Sequence, residues 1–247
     1  MIFSPLQPGI SISISASCIG VDGAKNGWIA VWRDGERLEF SVYRSAGELV
    51  AAHRQADVIA IDIPIGLPDS GGRAADSLAR AFVGGKRASS IFSSPVRGIL
   101  DATSQQEASQ RHREIDGRGF GAQAFGILPK IREWDDLLRS DAAARWRVHE
   151  IHPEVSFAAL SGGKGLAESK KTLEGIERRR SALAPVFGEA LIGNLLERVP
   201  RKIAAADDVL DALVALWSAQ RIFGGHSQTL PSPPERDSQG LTRAIHY

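Results

Sequence analysis

Residues 57–64, DVIAIDIP, are a nearly continuous apolar run that stops at Pro64. A strand with one wet face alternates polar and apolar residues, so this run predicts a strand buried on both faces. Proline has no N–H for a central ladder, which ends the strand at Asp62. Such a strand needs packing layers on both sides, and the surrounding segments supply them. SCIGVDG is a second short apolar run, ending in Asp22-Gly23, and GWIAVWRDGERLEFSVY reads as two strands joined by Asp34-Gly35, a hairpin pair. SAGELVAAHRQA reads as a helix with Ser45 as N-cap and Glu48 completing a capping box. The order strand, hairpin, helix, strand predicts an α/β sheet with an aspartate at the end of two strands, where open α/β sheets bind ligands.

From Gly66 to about Ala144 the composition changes. GRAADSLARAFVG and AQAFGILPKIREWDDLLRS are predicted helices between Gly-, Ser- and Pro-rich connections, so residues 66–144 read as a helical insertion. RWRVHEIHPEVSF returns to strand character, SKKTLEGIERRRSALAPVFG is a charged helix and EALIGNLLERV another. A further helix runs to about Phe223, HSQTLPSPPERDSQG is loop by composition, and LTRAIHY closes the chain as a strand. One domain over residues 16–247 is expected, with residues 1–15 as an N-terminal extension.

Bulk composition removes several classes. The 30 Lys+Arg against 29 Asp+Glu leave no overall basic field, so any nucleic-acid contact must be local. Cys18 is the single cysteine, which rules out an internal disulfide and fits a reducing, cytoplasmic setting. No apolar run approaches a membrane span, and the first residues lack the basic and apolar regions of a secretory signal.

The stretch AADDVLDALVAL, residues 205–216, is as apolar as a core helix yet carries Asp207, Asp208 and Asp211. At about 100° per residue the aspartates fall opposite Val209, Leu210, Leu213, Leu216 and Trp217, among Ala212, Ala215, Ser218 and Ala219. A helix start accounts for one or two of them, with Asp207 as N-cap, but Asp211 lies a turn further in. Asp22, Asp62, Asp208 and Asp211 converging on one point would repel each other unless protonated or sharing a cation. All-oxygen ligands favour Mg²⁺ or Mn²⁺, and such ions activate water in phosphodiester cleavage.

In HEIHPE, residues 149–154, alternation puts Glu150, His152 and Glu154 on one strand face, with a bend at Pro153. Glu150 reads either as a further carboxylate of the cluster or as a structural residue, and His152 as a candidate for assisting proton transfer. The spacing does not make a helical HExxH zinc site. Lys170, Lys171 and Arg178–Arg180 form the most basic segment, either a solvated face or, through Lys170, Lys171 and Arg178, a phosphate-backbone contact. GGKGLAES lacks Walker spacing. The five tryptophans read as core.

Strand-Asp22, hairpin, helix, strand-Asp62 and a late DVLDAL helix resemble the ribonuclease-H-like fold, and DVLDAL is similar to the D-x-x-D-A-L helix of Holliday-junction resolvases, which puts Asp208 and Asp211 at metal positions. From Gly20 onward the chain resembles the domain of unknown function 429 family, described as predicted RNase-H-like nucleases. The resemblance rests on GVDGAKNGWIAV, DIPIGLP, GRAAD, SSIFSSPVR, HEIHPEVSF, KKTLEGIERR, DDVLDAL and GLTRAIHY. It implies a mixed five-stranded sheet with helices on both faces, and a metal-dependent nuclease acting on DNA or RNA. Resolvases carry a glutamate where this chain has Asp62. The same superfold also contains actin-like ATPases and sugar kinases, to which DGAKNGW is a weak match, and a noncatalytic nucleic-acid or protein-binding module is the third reading.

Overall fold

A computed structural model describes residues 18–247, so the extension expected at 1–15 lies outside the described residues. One mixed sheet has the order β3-β2-β1-β4-β5, built from β1 (Cys18–Ala24), β2 (Gly27–Asp34), β3 (Arg37–Tyr43), β4 (Val58–Ile61) and β5 (Val148–Glu150). The first three strands are antiparallel neighbours, while β4 runs parallel to β1 and β5 parallel to β4. This is the expected five-stranded α/β sheet, consistent with a ribonuclease-H-like fold. β1 does not stop at Asp22: it pairs with β2 as far as Ala24, whereas its ladder with β4 ends at the Val21–Ile61 pair. The β2–β3 turn is Gly35-Glu36, with Gly35 at φ 56°, a conformation that suits glycine.

The two sheet faces bury different layers. Ile19, Val21, Ile59, Ile61 and Val148 pack against α1 (Ala46–Ala52) and α4 (Ala122–Ser140). Ser45 caps α1 as predicted, accepting from the Glu48 N–H at 3.1 Å. Between β4 and β5 lie α2 (Ala74–Val83), α3 (Gln105–Asp116), α4 and α5 (Ala142–Arg147). On the opposite face Ile29 and Val31 meet α7 (Leu173–Phe187), α8 (Glu189–Arg198) and α9 (Ala206–Phe223).

Four segments depart from expectation. α3 follows a charged stretch with only Ala108 and His112 buried, so its apolar period is nearly silent, and its signals are the Ser104 cap and Gly117 at φ 73°. RWRVHEIHPEVSF is strand only from Val148 to Glu150. Its start belongs to α5, and α6 (Pro153–Leu160) begins with proline at its first turn, where the missing N–H costs nothing. Glu154 therefore projects from a helix. Lys170 and Lys171 precede α7, whose N-cap is Thr172. The tail read as loop contains β6 (Thr229–Arg236), paired with the predicted final strand β7 (Thr242–His246) in a separate two-stranded sheet. Pairing occurs at Thr229, Leu230, Glu235 and Arg236, and Pro231, Pro233 and Pro234 occupy the interrupted middle, where no ladder N–H is required.

α9 crosses β1 with its backbone almost in contact with the strand. A Cβ on Gly20 would lie 2.1 Å from the Ala212 carbonyl oxygen and 2.1 Å from the Leu216 nitrogen. The alanine face of α9 thus meets the sheet, with Ala215 and Ala219 packed on Val58 and Ala60. Because the obstacle is backbone, Gly20→Ala is expected to cost about 3 kcal/mol or more, at the upper end of overpacking. Chemical denaturation measures this, and an unchanged midpoint would show that α9 is free to shift away from β1.

Candidate functional site

Asp22 and Asp62 sit side by side at one end of the sheet. The Asp62 N–H donates to the Val21 carbonyl at 3.2 Å, extending the β1–β4 register by one step. Both share the face of Gly20 and Ala60, because side chains alternate along a strand, and that face is the one α9 covers. The register of β1 and β4 against α9 therefore brings Asp22, Asp62 and Asp211 to one recess. Asp211 is completely buried and Asp22 is 7% exposed.

The recess contains its own cation. Lys170 Nζ donates to Asp211 Oδ2 at 2.5 Å, from the loop ahead of α7. Burial pulls this ammonium toward neutrality, but Asp211, Asp22 and Asp62 outweigh it and hold Lys170 charged, above the usual lysine range. One cation does not balance the group. Burial, then Asp211 and Asp62, pushes Asp22 well above the ordinary carboxylate range. Burial also raises Asp62 to about 6 against the pull of Lys170. Asp211 rises too, because burial outweighs Lys170. Its Oδ1 is buried without a hydrogen-bond partner. Among the described residues, the carboxylates of Asp22 and Asp62 receive no protein hydrogen bond.

The remaining candidates separate clearly. Asp208, not Asp207, caps α9: its Oδ2 accepts from the Ala205 N–H at 3.0 Å, and burial raises its pKa. Asp207 pairs with Lys171 at 2.6 Å. Arg178 lies on the surface, 3.6 Å from Glu168. Glu150 pairs with Ile61 and so points to the opposite sheet face from Asp62. Both its oxygens are held by Arg73, at 2.6 and 2.7 Å, and Oε2 also accepts from the Ile65 N–H at 2.7 Å. That network continues to Asp76, and it makes Glu150 a structural anchor of the 66–144 segment instead of a member of the carboxylate group.

His152 is the N-cap of α6 and borders the cleft beside Asp62. Burial lowers it to about 4, against Glu154 and Asp211, so the ring is neutral at pH 7. Its Nδ1 accepts from the Glu154 N–H at 3.2 Å, which puts the proton of the neutral ring on Nε2. His152 thus presents a donor to the cleft, and a general-base role does not fit.

Three further charges frame the recess. Arg179, fully buried, donates to Glu154 Oε1 at 2.7 Å, and Glu154 Oε2 has no partner. The three consecutive arginines spread over about 200° of α7, and Arg179 is the one on its buried side. Lys130, from α4, donates to the carbonyls of Ala24 and Gly27 at 3.1 and 2.8 Å and clamps the β1–β2 turn next to Asp22. Nothing in the sequence around Lys130 marks it.

Among the described residues no three acidic or histidine side chains form a ready-made metal cage. The donor type nevertheless suits a hard divalent cation: the carboxylates offer oxygens, and among the described residues Asp22 and Asp62 receive no hydrogen bond and Asp211 Oδ1 is an orphaned buried acceptor. Among the described residues no helix is long and apolar enough to cross a membrane.

A family model described as a protein of unknown function (DUF429) matches residues 20–236, so the chain belongs to that family. No curated protein and no solved structure matches the chain.

The raised carboxylates set the sign of a pH effect. A group whose pKa is raised on folding stabilises the fold below its unfolded value, and that contribution is lost as pH rises through the folded value. For Asp62 this window runs from 3.8 to about 6, and for Asp22 it opens at 3.8 and extends well above it. In chelator-containing buffer, Asp22→Asn is expected to stabilise the protein by roughly 1–3 kcal/mol at pH 7.5 and not at pH 4. Thermal melts at both pH values measure this. Equal shifts at both would show that Asp22 carries no excess proton.

Proposed function

We propose that this DUF429 protein is a nucleic-acid hydrolase that cuts phosphodiester bonds at the Asp22–Asp62–Asp211 recess with Mg²⁺ or Mn²⁺. One observation carries the reading: two adjacent strand-end carboxylates without protein partners lie beside a third whose charge is only half met by a lysine. Such a group is stable at neutral pH when a cation enters it, and the hard oxygens select the class of cation. A divalent ion bound there lowers the pKa of water and neutralises charge at the phosphate.

The protein groups have separable tasks. Asp22 and Asp62 hold the cation. Asp211 anchors Lys170, whose ammonium has two further donors to offer a phosphate oxygen. His152 offers its Nε2–H from the other wall of the cleft beside Asp62. Lys171 and Arg178, exposed near the mouth, suit contacts to flanking phosphates. The link between β1 and β2 is only Lys25 and Asn26, too short to wrap a nucleoside triphosphate, which favours hydrolysis of a polymer over an ATP-dependent phosphotransferase.

Labelled DNA and RNA, single- and double-stranded, incubated with Mg²⁺ or Mn²⁺ test the reading. Asp22→Asn and Asp62→Asn are expected to abolish cleavage while leaving the protein folded. Lys170→Met is expected to lower kcat by roughly 10²–10³-fold, the usual cost of one donor that stabilises developing charge. Lys171→Ala and Arg178→Ala are each expected to reduce the salt dependence of binding by about one unit of slope. ATP turnover by the wild type without cleavage of any polymer would overturn the proposal in favour of a phosphotransferase.

A further inference from the structure

We infer that the recess between the Phe92 loop and the start of α4 is a nucleobase site, which holds a base of single-stranded nucleic acid beside the phosphate bound at Asp62. This inference deepens the hydrolase reading and rests on it for the identity of the polymer.

The recess is an open hollow of about 230 Å³ lined by Phe92, Ser93, His112, Arg118, Phe120 and Gly121, among others. Phe92 also lines the small gap, about 20 Å³, that Asp62 and His152 share with Arg73, Asp76 and Glu150, so its ring is common to the two spaces. An exposed aromatic at such a place is unusual because its loop is otherwise tightly held. Ile91 and Val96 are buried, and the Ser94 N–H donates to Asp76 Oδ2 at 2.7 Å, yet Phe92 is left 37% exposed. The loop thus fixes an aromatic face toward solvent next to the carboxylates.

The opposite wall is equally rigid. Phe120, itself buried, stacks on His112 with centroids 5.5 Å apart and planes at 21°, and His112 Nδ1 bonds the Arg118 carbonyl at 2.8 Å. The Arg118 guanidinium uses Nε and Nη2 on Asp116, at 2.7 and 2.6 Å, which leaves Nη1 for a ligand. An exposed phenyl ring, a buried aromatic stack and a guanidinium on one recess match a base, which has an apolar π-face and acceptors on its edge. An aliphatic peptide side chain would leave the guanidinium unmet. The motif SSIFSSPVR, for which the carboxylate chemistry has no use, acquires a task in this way.

Gly121 allows a clean test. Its backbone, φ −74° and ψ 152°, is one that any residue adopts, and a Cβ there has no atom within 4 Å. Gly121 is the N-cap of α4, so Gly121→Leu places a side chain at the recess at the modest cost of a poorer cap, and Phe92→Ala removes the platform. Binding of single-stranded oligonucleotides is read by fluorescence anisotropy in Ca²⁺ buffer, with one abasic position moved along the strand. Both variants are expected to bind roughly 5- to 100-fold more weakly, the loss of one stacked base. One abasic position should weaken the wild type by a similar factor and leave Phe92→Ala unaffected. In hydrolysis, KM should rise with kcat nearly constant. Unchanged affinity in both variants, or an abasic penalty of equal size in wild type and Phe92→Ala, would overturn the base site while leaving the hydrolase reading intact. Base-dependent binding by a wild type that cleaves nothing would retain the site and remove the hydrolase. No binding of any oligonucleotide would overturn both.

Discussion

The contact on which the site depends is backbone against backbone, where Gly20 of β1 meets the Ala212–Leu216 turn of α9. Only a residue without a side chain permits that approach, and the alanines of α9 continue it over Val58 and Ala60. A buried helix this close to the sheet cannot place its aspartates in solvent. Asp211 is carried into the interior beside Asp22 and Asp62 by the same packing that makes the core. Repulsion among the carboxylates is thus a consequence of the fold, sustained by the apolar surface buried along both sides of α9.

The molecule reduces that repulsion in two ways. Lys170 reaches in from the segment before α7, and raised pKa values let protons remain on Asp22 and Asp62. Each remedy is partial, since among the described residues Asp211 retains an unpartnered oxygen and Asp22 and Asp62 receive no hydrogen bond. Behind them the Arg179–Glu154 pair fixes α7 to α6 and is itself incompletely satisfied. Asp22 and Asp62, at the ends of β1 and β4, have no hydrogen bond among the described residues, whereas Glu150, on the other face and raised by burial to about 7, is held by Arg73, which it shares with Asp76. This division into a satisfied network and an unsatisfied one separates structural carboxylates from those available to a ligand.

Much of the sheet was legible because its signals are local. The DVIAIDIP run, the hairpin and the Ser45 cap each fold as their residues dictate. Asp22, Asp62 and Asp211 were legible because an acid in an apolar element conflicts with its surroundings wherever the chain goes. Glu150 was ambiguous since one step of strand alternation decides its face, and the sequence around it does not show which face α9 takes. Lys170 was read as part of a basic helix, because its partner lies 41 residues away and no local pattern links the two. β6 was read as loop from its prolines, which sit where the ladder is interrupted. The small residues that accompany the aspartates on α9 are where the helix meets the sheet.

The proposed hydrolase depends above all on a divalent ion meeting the charge of Asp22 and Asp62. A crystal of the protein soaked in Mn²⁺ and measured at the manganese absorption edge tests this most directly. The account predicts an anomalous peak bounded by the carboxylates of Asp22 and Asp62, on the α9 face of the sheet. A soaked crystal with Lys170 still on Asp211 and no manganese at the two strand ends would contradict it.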